Sequence, residues 1–444
     1  MKKIWLLIFV PTILLIPDSL FAFYDPLSVP NNKYGVHILE PGEITAAAKL
    51  VNSSGGDWGY VTVPLRSDDR DREKWHKFFT LAGKLHIIPL VRLATYPDPA
   101  AAGWVKPNVY DLVDFANFLA DMPWPTQNRY LIIFNEPNHA KEWGGGVDPV
   151  QYATLLLDAQ DIFKSRSQDF FLLTAGLDMS APTNRTSLDA LEFYRQMSLQ
   201  PAWKQAVDGF SVHAYPNPAF TAPVTSTTRY GLTSYRYELK LLNSPALPLF
   251  ITETGSVSPG NFYPQAFTIF TDPQIVAVTP FILFAGAGEF TKFSLLNTPA
   301  YQAIQNLPKT TGSPLLNSTA TSTPPFIKIG DVTIPVELAN TPEKITQGLS
   351  NRSNLDSNSG MLFVFTNPTQ SPFWMFHMNF PLDFIWIKDN KVVQLDQNIP
   401  PPSQTDPIPQ IITPRQPIDG VLEVNAGFIK KHGIKVDDEV DISS

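Results

Sequence analysis

The chain has 444 residues, 43% of them hydrophobic and 17% charged, which is ample for buried cores and for two or three domains. Its net charge is −8 without a long basic run, which excludes a phosphate-tracking surface and with it nucleic acid as a partner. Cysteine is absent, so disulfides, thiolate nucleophiles, Cys-ligated metals and a lipidated N-terminal cysteine are excluded as well.

The N-terminus has the pattern of an export signal. Lys2 and Lys3 form the charged part, residues 4–16 an apolar run broken by Pro11, and Ala22 a small residue that closes Ser19-Leu-Phe-Ala22. An uncleaved anchor is the rival reading, although the run is short against the roughly 20 residues of a spanning helix. Both readings predict an extracytoplasmic protein, secreted or held at the cell envelope.

Beyond the signal, short β-rich runs alternate with helical patterns, which predicts βαβ units and a parallel sheet. The first four strands are expected at Tyr34–Ile38, Trp58–Val63, His86–Leu93 and Tyr130–Phe134. The next four are expected at Phe170–Ala175, Gly209–His213, Leu247–Thr252 and Val276–Phe284. Helical patterns fall at 44–51, 72–85, 109–120 and 149–165, the last opened by Asp148 as N-cap with Pro149 in the first turn. Eight strands over residues 30–307 predict an α/β fold, a (β/α)8 TIM barrel, whose usual length is about 250 residues. Pro89, Pro248 and Pro280 stand against the exact strand limits, because proline donates nothing to a ladder.

Residues 308–325 are rich in Ser, Thr and Pro and predict an extended linker. Residues 326–444 then predict a small β-rich (α+β) domain, with strand-like runs at 326–329, 332–338, 361–365, 382–387 and 391–395. Asp389-Asn390 predicts a hairpin turn between the last two. The proline-rich stretch 399–417 is expected to be an extended loop.

The strongest chemical signal is Phe134-Asn-Glu-Pro-Asn138, which places Glu136 at the C-terminal end of the fourth strand. A second, Ile251-Thr-Glu-Thr-Gly255, places Glu253 at the end of the seventh. Catalytic groups of barrel enzymes lie at that end of the strands. A third, Asp208-Gly-Phe-Ser-Val-His-Ala-Tyr215, closes the sixth strand, and alternation puts His213 and Tyr215 on one face. Together these residues resemble glycoside hydrolase clan A, over most of residues 34–307.

That resemblance implies a retaining O-glycoside hydrolase cleaving a poly- or oligosaccharide, with Glu136 as acid/base, Glu253 as nucleophile and Asn135 on the sugar 2-hydroxyl. It assigns Tyr215 to orienting Glu253, and His213 to the substrate or to support of the pair. A catalytically inactive carbohydrate-binding or envelope scaffold on the same barrel is the alternative, since a fold does not fix a function. Many clan members carry a Trp at the end of the eighth strand, whereas this chain reads Phe281-Ile-Leu-Phe-Ala-Gly-Ala-Gly288.

Other residues carry two readings each. Arg92 either holds the nucleophile ionised or forms a surface ion pair. Trp143 either stacks on a sugar ring or packs its own loop. His37 either lines the barrel mouth or is a satisfied core histidine. Glu289 is the rival nucleophile, and Glu40 and Asp178 are rim carboxylates. The barrel has no His-x-His, no Gly-x-Ser-x-Gly and no phosphate-cradling glycine loop, so no metal or cofactor is expected.

In the last domain Gly348-Leu349, Gly360-Met-Leu-Phe363, Phe373-Trp-Met375, Pro381-Leu-Asp383 and Leu422-Glu-Val-Asn-Ala-Gly427 occur in order. They resemble the family called domain of unknown function 192, which implies a compact β-rich fold with no established activity. Members usually follow Trp-Met with Lys-Asn-Thr, where this chain has Phe376-His377-Met378. Asp383 and Glu423 match the family's acidic positions, read either as ligand or partner contacts or as buried structural groups.

Overall fold

The computed structural model describes residues 23–98, 103–243, 247–317, 326–339, 345–346, 348–350, 352, 354–403 and 408–443. The expected export signal at 1–22 and residues 318–325 of the expected linker lie outside these. Two compact units divide between residues 320 and 321. No helix among the described residues is long and apolar enough to cross a membrane.

In the first unit, β1 (Gly35–His37), β2 (Gly59–Arg66), β3 (Ile87–Ala94), β4 (Arg129–Ile132) and β5 (Phe170–Leu173) run parallel in that order. A second parallel set holds β6 (Phe210–His213), β7 (Leu249–Thr254) and β8 (Ile275–Pro280). Parallel bridges join both seams, Leu173 to Gly209 and Tyr34 to Val278. The eight strands therefore close on themselves.

One helix follows each strand: α1 (Ile44–Val51), α2 (Arg72–Lys84), α3 (Val109–Ala120), α4 (Pro149–Arg166), α5 (Ala190–Met197), α6 (Tyr235–Leu242), α7 (Phe262–Ile269) and α8 (Pro299–Gln305). Local chemistry sets their starts. The Asp148 carboxylate accepts from the Gln151 amide at 3.0 Å, with Pro149 in the first turn of α4. Asp71 caps α2 in the same way.

Both faces of the strands are apolar. Outward residues such as Val61, Val91, Leu131 and Ile251 pack with Trp75, Phe79, Phe115 and Phe193 of the helices. Inward, Tyr60, Tyr130, Phe171 and Phe250 fill the barrel, with neighbouring ring centroids 5.0–6.4 Å apart. The barrel is thus a filled core, and chemistry is confined to its rim.

The prolines act differently from one another. Pro89 is accommodated inside β3, while Pro248 lies just before β7 and Pro280 ends β8. The eighth strand is accordingly shorter than expected. Residues 308–317 correct the linker reading. Gly312 donates to the Asp57 carbonyl and Ser313 to that of Pro30, at 2.9 and 2.8 Å, and Gln127 donates to Leu315, so this segment is laced onto the barrel.

The second unit is one sheet of seven strands. They are β9 (Phe326–Ile329), β10 (Val332–Ala339), β11 (Gly360–Thr369), β12 (Leu382–Lys388), β13 (Lys391–Ile399), β14 (Ile418–Asn425) and β15 (Val440–Ser443). The order is β13-β12-β14-β11-β10-β9-β15, and a bridge from Lys391 to Glu439 brings the ends together into a near-barrel. Asp389 and Asn390 turn the β12–β13 hairpin with φ of 50° and 57°, as the two-residue turn requires. The stretch 399–417 is not wholly loop, because Ile411–Ile412 pairs with Phe373–Trp374.

Candidate active site

The site forms where β3, β4, β6 and β7 end. After Ile132 the chain turns sharply, placing Phe134 and Glu136 in the left-handed region at φ 67° and 33°. Such conformations are costly for residues with a side chain and persist where the surroundings impose them. Here the Phe134 amide donates to the Ile132 carbonyl at 3.0 Å and the Glu136 amide to that of Gly176 at 3.2 Å. The buried Phe134 ring anchors the turn between Phe115 and Trp143.

Glu253 lies within the last residues of β7, level with His213 of β6. Arg92 of β3 donates from Nη1 to Glu253 Oε1 at 2.6 Å and to Asn135 Oδ1 at 3.0 Å. Tyr215 donates its hydroxyl to Glu253 Oε2 at 2.9 Å. His213 Nδ1 pairs with Glu136 Oε1 at 2.8 Å and lies 3.6 Å from Glu253 Oε2. Carboxylate oxygens of Glu136 and Glu253 and a ring nitrogen of His213 all lie within 4.8 Å of one another.

The electrostatics follow from this arrangement. Burial pushes the Glu253 carboxyl up, but His213, Arg92 and the Tyr215 hydroxyl outweigh it and hold it well below the usual carboxylate range. Burial pushes His213 down, while Glu253 and Glu136 pull it above its ordinary value. His37 is fully buried, 3.9 Å from Glu253 Oε1, and burial with the Arg92 charge lowers it to about 3. It is therefore neutral, and neither of its ring nitrogens has a hydrogen-bond partner among the described residues.

Asn135, Glu136, Glu253, His213, Tyr215 and Arg92 are brought together. Trp143 is not with them: it is 1% exposed and packs edge-on against Tyr152, so stacking on a sugar is ruled out by burial. Glu289 is exposed on a short 3-10 turn, and Glu40 is exposed too. Asp178 pairs with His139 at 2.9 Å and ties two loops together. His37 is a core side chain that reaches the floor of the mouth, without the hydrogen-bond partners of a satisfied core histidine among the described residues.

Phe281 follows β8, in the run that lacks a Trp, and meets His37 edge-on at 5.1 Å. Two features went unread in the sequence. Gly176 leaves room for His213: a Cβ there would lie 2.2 Å from the ring's Cδ2. Glu142 lies 3.5 Å from Asn135 Nδ2, in a loop without periodicity to mark it.

Glu136, His213 and Glu253 have the spacing of a metal-binding triad. Both Glu253 oxygens are already engaged, one by a guanidinium, so a cation there would meet the Arg92 charge.

Residues 326–442 match the family described as DUF192, Uncharacterized ACR. A solved protein of unknown function from Novosphingobium aromaticivorans DSM 12444 is 30% identical, over 26% of this chain and 83% of its own, with a TM-score of 0.24. Residues 326–442 are a DUF192 domain. No curated protein matches the chain significantly. The N-terminal region has a distant structural similarity to glycoside hydrolases. One is a monomeric beta-xylosidase from Caulobacter crescentus CB15, 12% identical, over 90% of this chain and 97% of that one, with a TM-score of 0.45. Another is a beta-mannanase from Thermomonospora fusca, 15% identical, over 60% and 83%, with a TM-score of 0.41.

In the DUF192 domain, Asp383 is fully buried and accepts from the Asn398 amide at 2.8 Å and the Ile429 amide at 3.0 Å. The second of these caps the helix α9 (Phe428–His432), a structural role. Glu423 is buried beside Met361 and Phe384, its neighbours in register, and burial pushes it up to about 8 against the opposing charge of Arg352.

Proposed function

We propose that the barrel is a retaining O-glycoside hydrolase, exported and acting on a poly- or oligosaccharide. The observation that carries this reading is the close pair of carboxylates, Glu136 and Glu253, with oxygens within 4.8 Å. Retaining enzymes hold their carboxyls about 5–5.5 Å apart, whereas inverting enzymes leave about 6.5–9.5 Å for a water.

In this reading Glu253, kept ionised by Arg92 and His213, attacks the anomeric carbon. Glu136 gives its proton to the leaving oxygen, and a covalent glycosyl-enzyme forms on Glu253. Glu136 then takes a proton from the water that releases the sugar. Arg92 holds Asn135 by its Oδ1, which leaves Nδ2 for the sugar 2-hydroxyl. Tyr215 and Arg92 fix the Glu253 carboxylate in one orientation, so little reorganisation is needed for attack.

Proton NMR of the first product anomer tests the stereochemistry. The proposal expects the substrate's configuration, and a first product of opposite configuration would exclude Glu253 as nucleophile. Sugar binding without turnover across a broad panel of glycosides would instead favour the binding scaffold.

A further inference from the structure

The site holds a third carboxylate that a two-carboxylate reaction leaves unused. Glu142 ends the short 3-10 turn Ala140–Glu142, and its side chain is 13% exposed. Its Oε2 lies 3.5 Å from Asn135 Nδ2. Because Arg92 takes Asn135 Oδ1, the amide presents Nδ2 on the side where Glu142 stands.

The turn is held from both sides. The Ala140 amide donates to Thr186 at 2.8 Å and the Gly144 amide to Trp104 at 3.2 Å. A Cβ on Gly103 would come within 2.5 Å of the Lys141 carbonyl, so the two loops touch backbone to backbone. Buried Trp143 fixes the next residue. The near cation, Lys141, is 3.9 Å from Glu142 Oε1 and well exposed, which makes it a weak counter-charge. Burial and the neighbouring Glu136 raise the Glu142 carboxyl, against Lys141 and Arg92.

We propose that Glu142 is a specificity-determining residue. Its carboxylate accepts a hydrogen bond from the hydroxyl beside the one that Asn135 binds, so the barrel takes neutral glycans with free hydroxyls at C2 and C3 of the bound ring. This rests on the hydrolase reading above. A carboxylate accepts only, and Asn135 Nδ2 donates only, so the pair reads two adjacent hydroxyls in a fixed sense. The Glu142 carboxylate, whose near cation Lys141 is exposed, repels a second anion on the ring it faces, which disfavours uronates and sulfated sugars. A substituent on the C3 oxygen would remove the donor that Glu142 needs.

A purely structural Glu142 would only orient Asn135, and its loss would then cost every substrate equally. The test measures kcat/KM for wild type and Glu142→Gln. The substrates are the 4-nitrophenyl glycoside that wild type cleaves fastest and its 3-deoxy counterpart. The missing hydroxyl should cost wild type about 100-fold, because a buried acceptor is left unmade. The same deletion should cost Glu142→Gln less than about 3-fold, since its acceptor is already weakened. If instead the two losses multiply, Glu142 does not touch that hydroxyl and the proposal is overturned. Labelling of Glu253 in Glu142→Gln by a 2-deoxy-2-fluoro glycoside reports that its site is intact. A wild type that cleaves no glycoside and takes no label removes the hydrolase reading, and this proposal with it.

Discussion

At the scale of residues, the proposed chemistry depends on charge placed around Glu253. Arg92 at 2.6 Å is the closest cation, so its removal should raise the Glu253 carboxyl toward ordinary values. Activity that depends on ionised Glu253 is lost as pH falls through its folded pKa, which lies well below the usual carboxylate range. The acid limb of kcat/KM should therefore sit low in wild type, and Arg92→Met should move it to higher pH while lowering the plateau about 100-fold. An unmoved acid limb would remove Arg92 from this role. Chelation should leave activity unchanged, because Arg92 and Tyr215 already engage both Glu253 oxygens. Loss of activity in EDTA, restored by one divalent metal, would reassign the triad to a metal. Motif spacing made Glu136, Glu253, His213 and Tyr215 legible, because each stands at a strand end. The two readings of Trp143 could not be separated, because sequence shows a residue type and not its depth. Glu142 was missed because nothing local tells a buried loop carboxylate from a solvated one.

At the scale of elements, the left-handed turn after β4 and the close approach of the Gly176 segment set where Glu136 stands. Gly176→Ala would put a Cβ within 2.5 Å of His213 Nε2 and force the ring away from Glu136. Circular dichroism should show the fold kept, and kcat should fall about 10- to 100-fold. Full activity in this variant would mean that His213 is free to move without consequence. Strand number and order were readable because continuous apolar runs recur between helical patterns. The first four helices were readable to within a residue, α4 with its Asp148 cap, whereas α5 to α8 were not assigned, although Asp189 and Thr298 cap α5 and α8. Strand ends were less so: Glu253 lies inside β7, because the ladder with β6 and β8 runs on past the apolar residues. The left-handed φ of Glu136 has no sequence signal, since it is imposed by packing around Phe134 and by the Gly176 carbonyl.

At the scale of the whole molecule, the chain carries two compact units with separate apolar cores. Calorimetry should resolve two unfolding transitions. The DUF192 transition should depend on pH through Glu423, whose carboxyl is pushed from its ordinary 4.5 to about 8 by burial. Between these values the folded domain holds a proton that the unfolded chain has lost, so stability falls as pH rises through that window and is greatest below it. Glu423→Gln should flatten this slope and raise the DUF192 transition at pH 8, leaving the barrel transition in place. A slope that persists in the variant would place the titrating group elsewhere. The family resemblance of the last domain was legible because five motifs keep their order. The attachment of residues 308–317 to the barrel was not, because Ser- and Thr-rich backbone pairs as readily as it wanders.

The proposed attack of Glu253 on the sugar is tested by mass-spectrometric mapping of the full chain after reaction with 2,4-dinitrophenyl 2-deoxy-2-fluoro glycosides, which accumulate the covalent intermediate. A single glycosylated peptide carrying the label on Glu253, lost in Glu253→Gln, is the expected result. A label on Glu289, or on any residue other than Glu253, would contradict it.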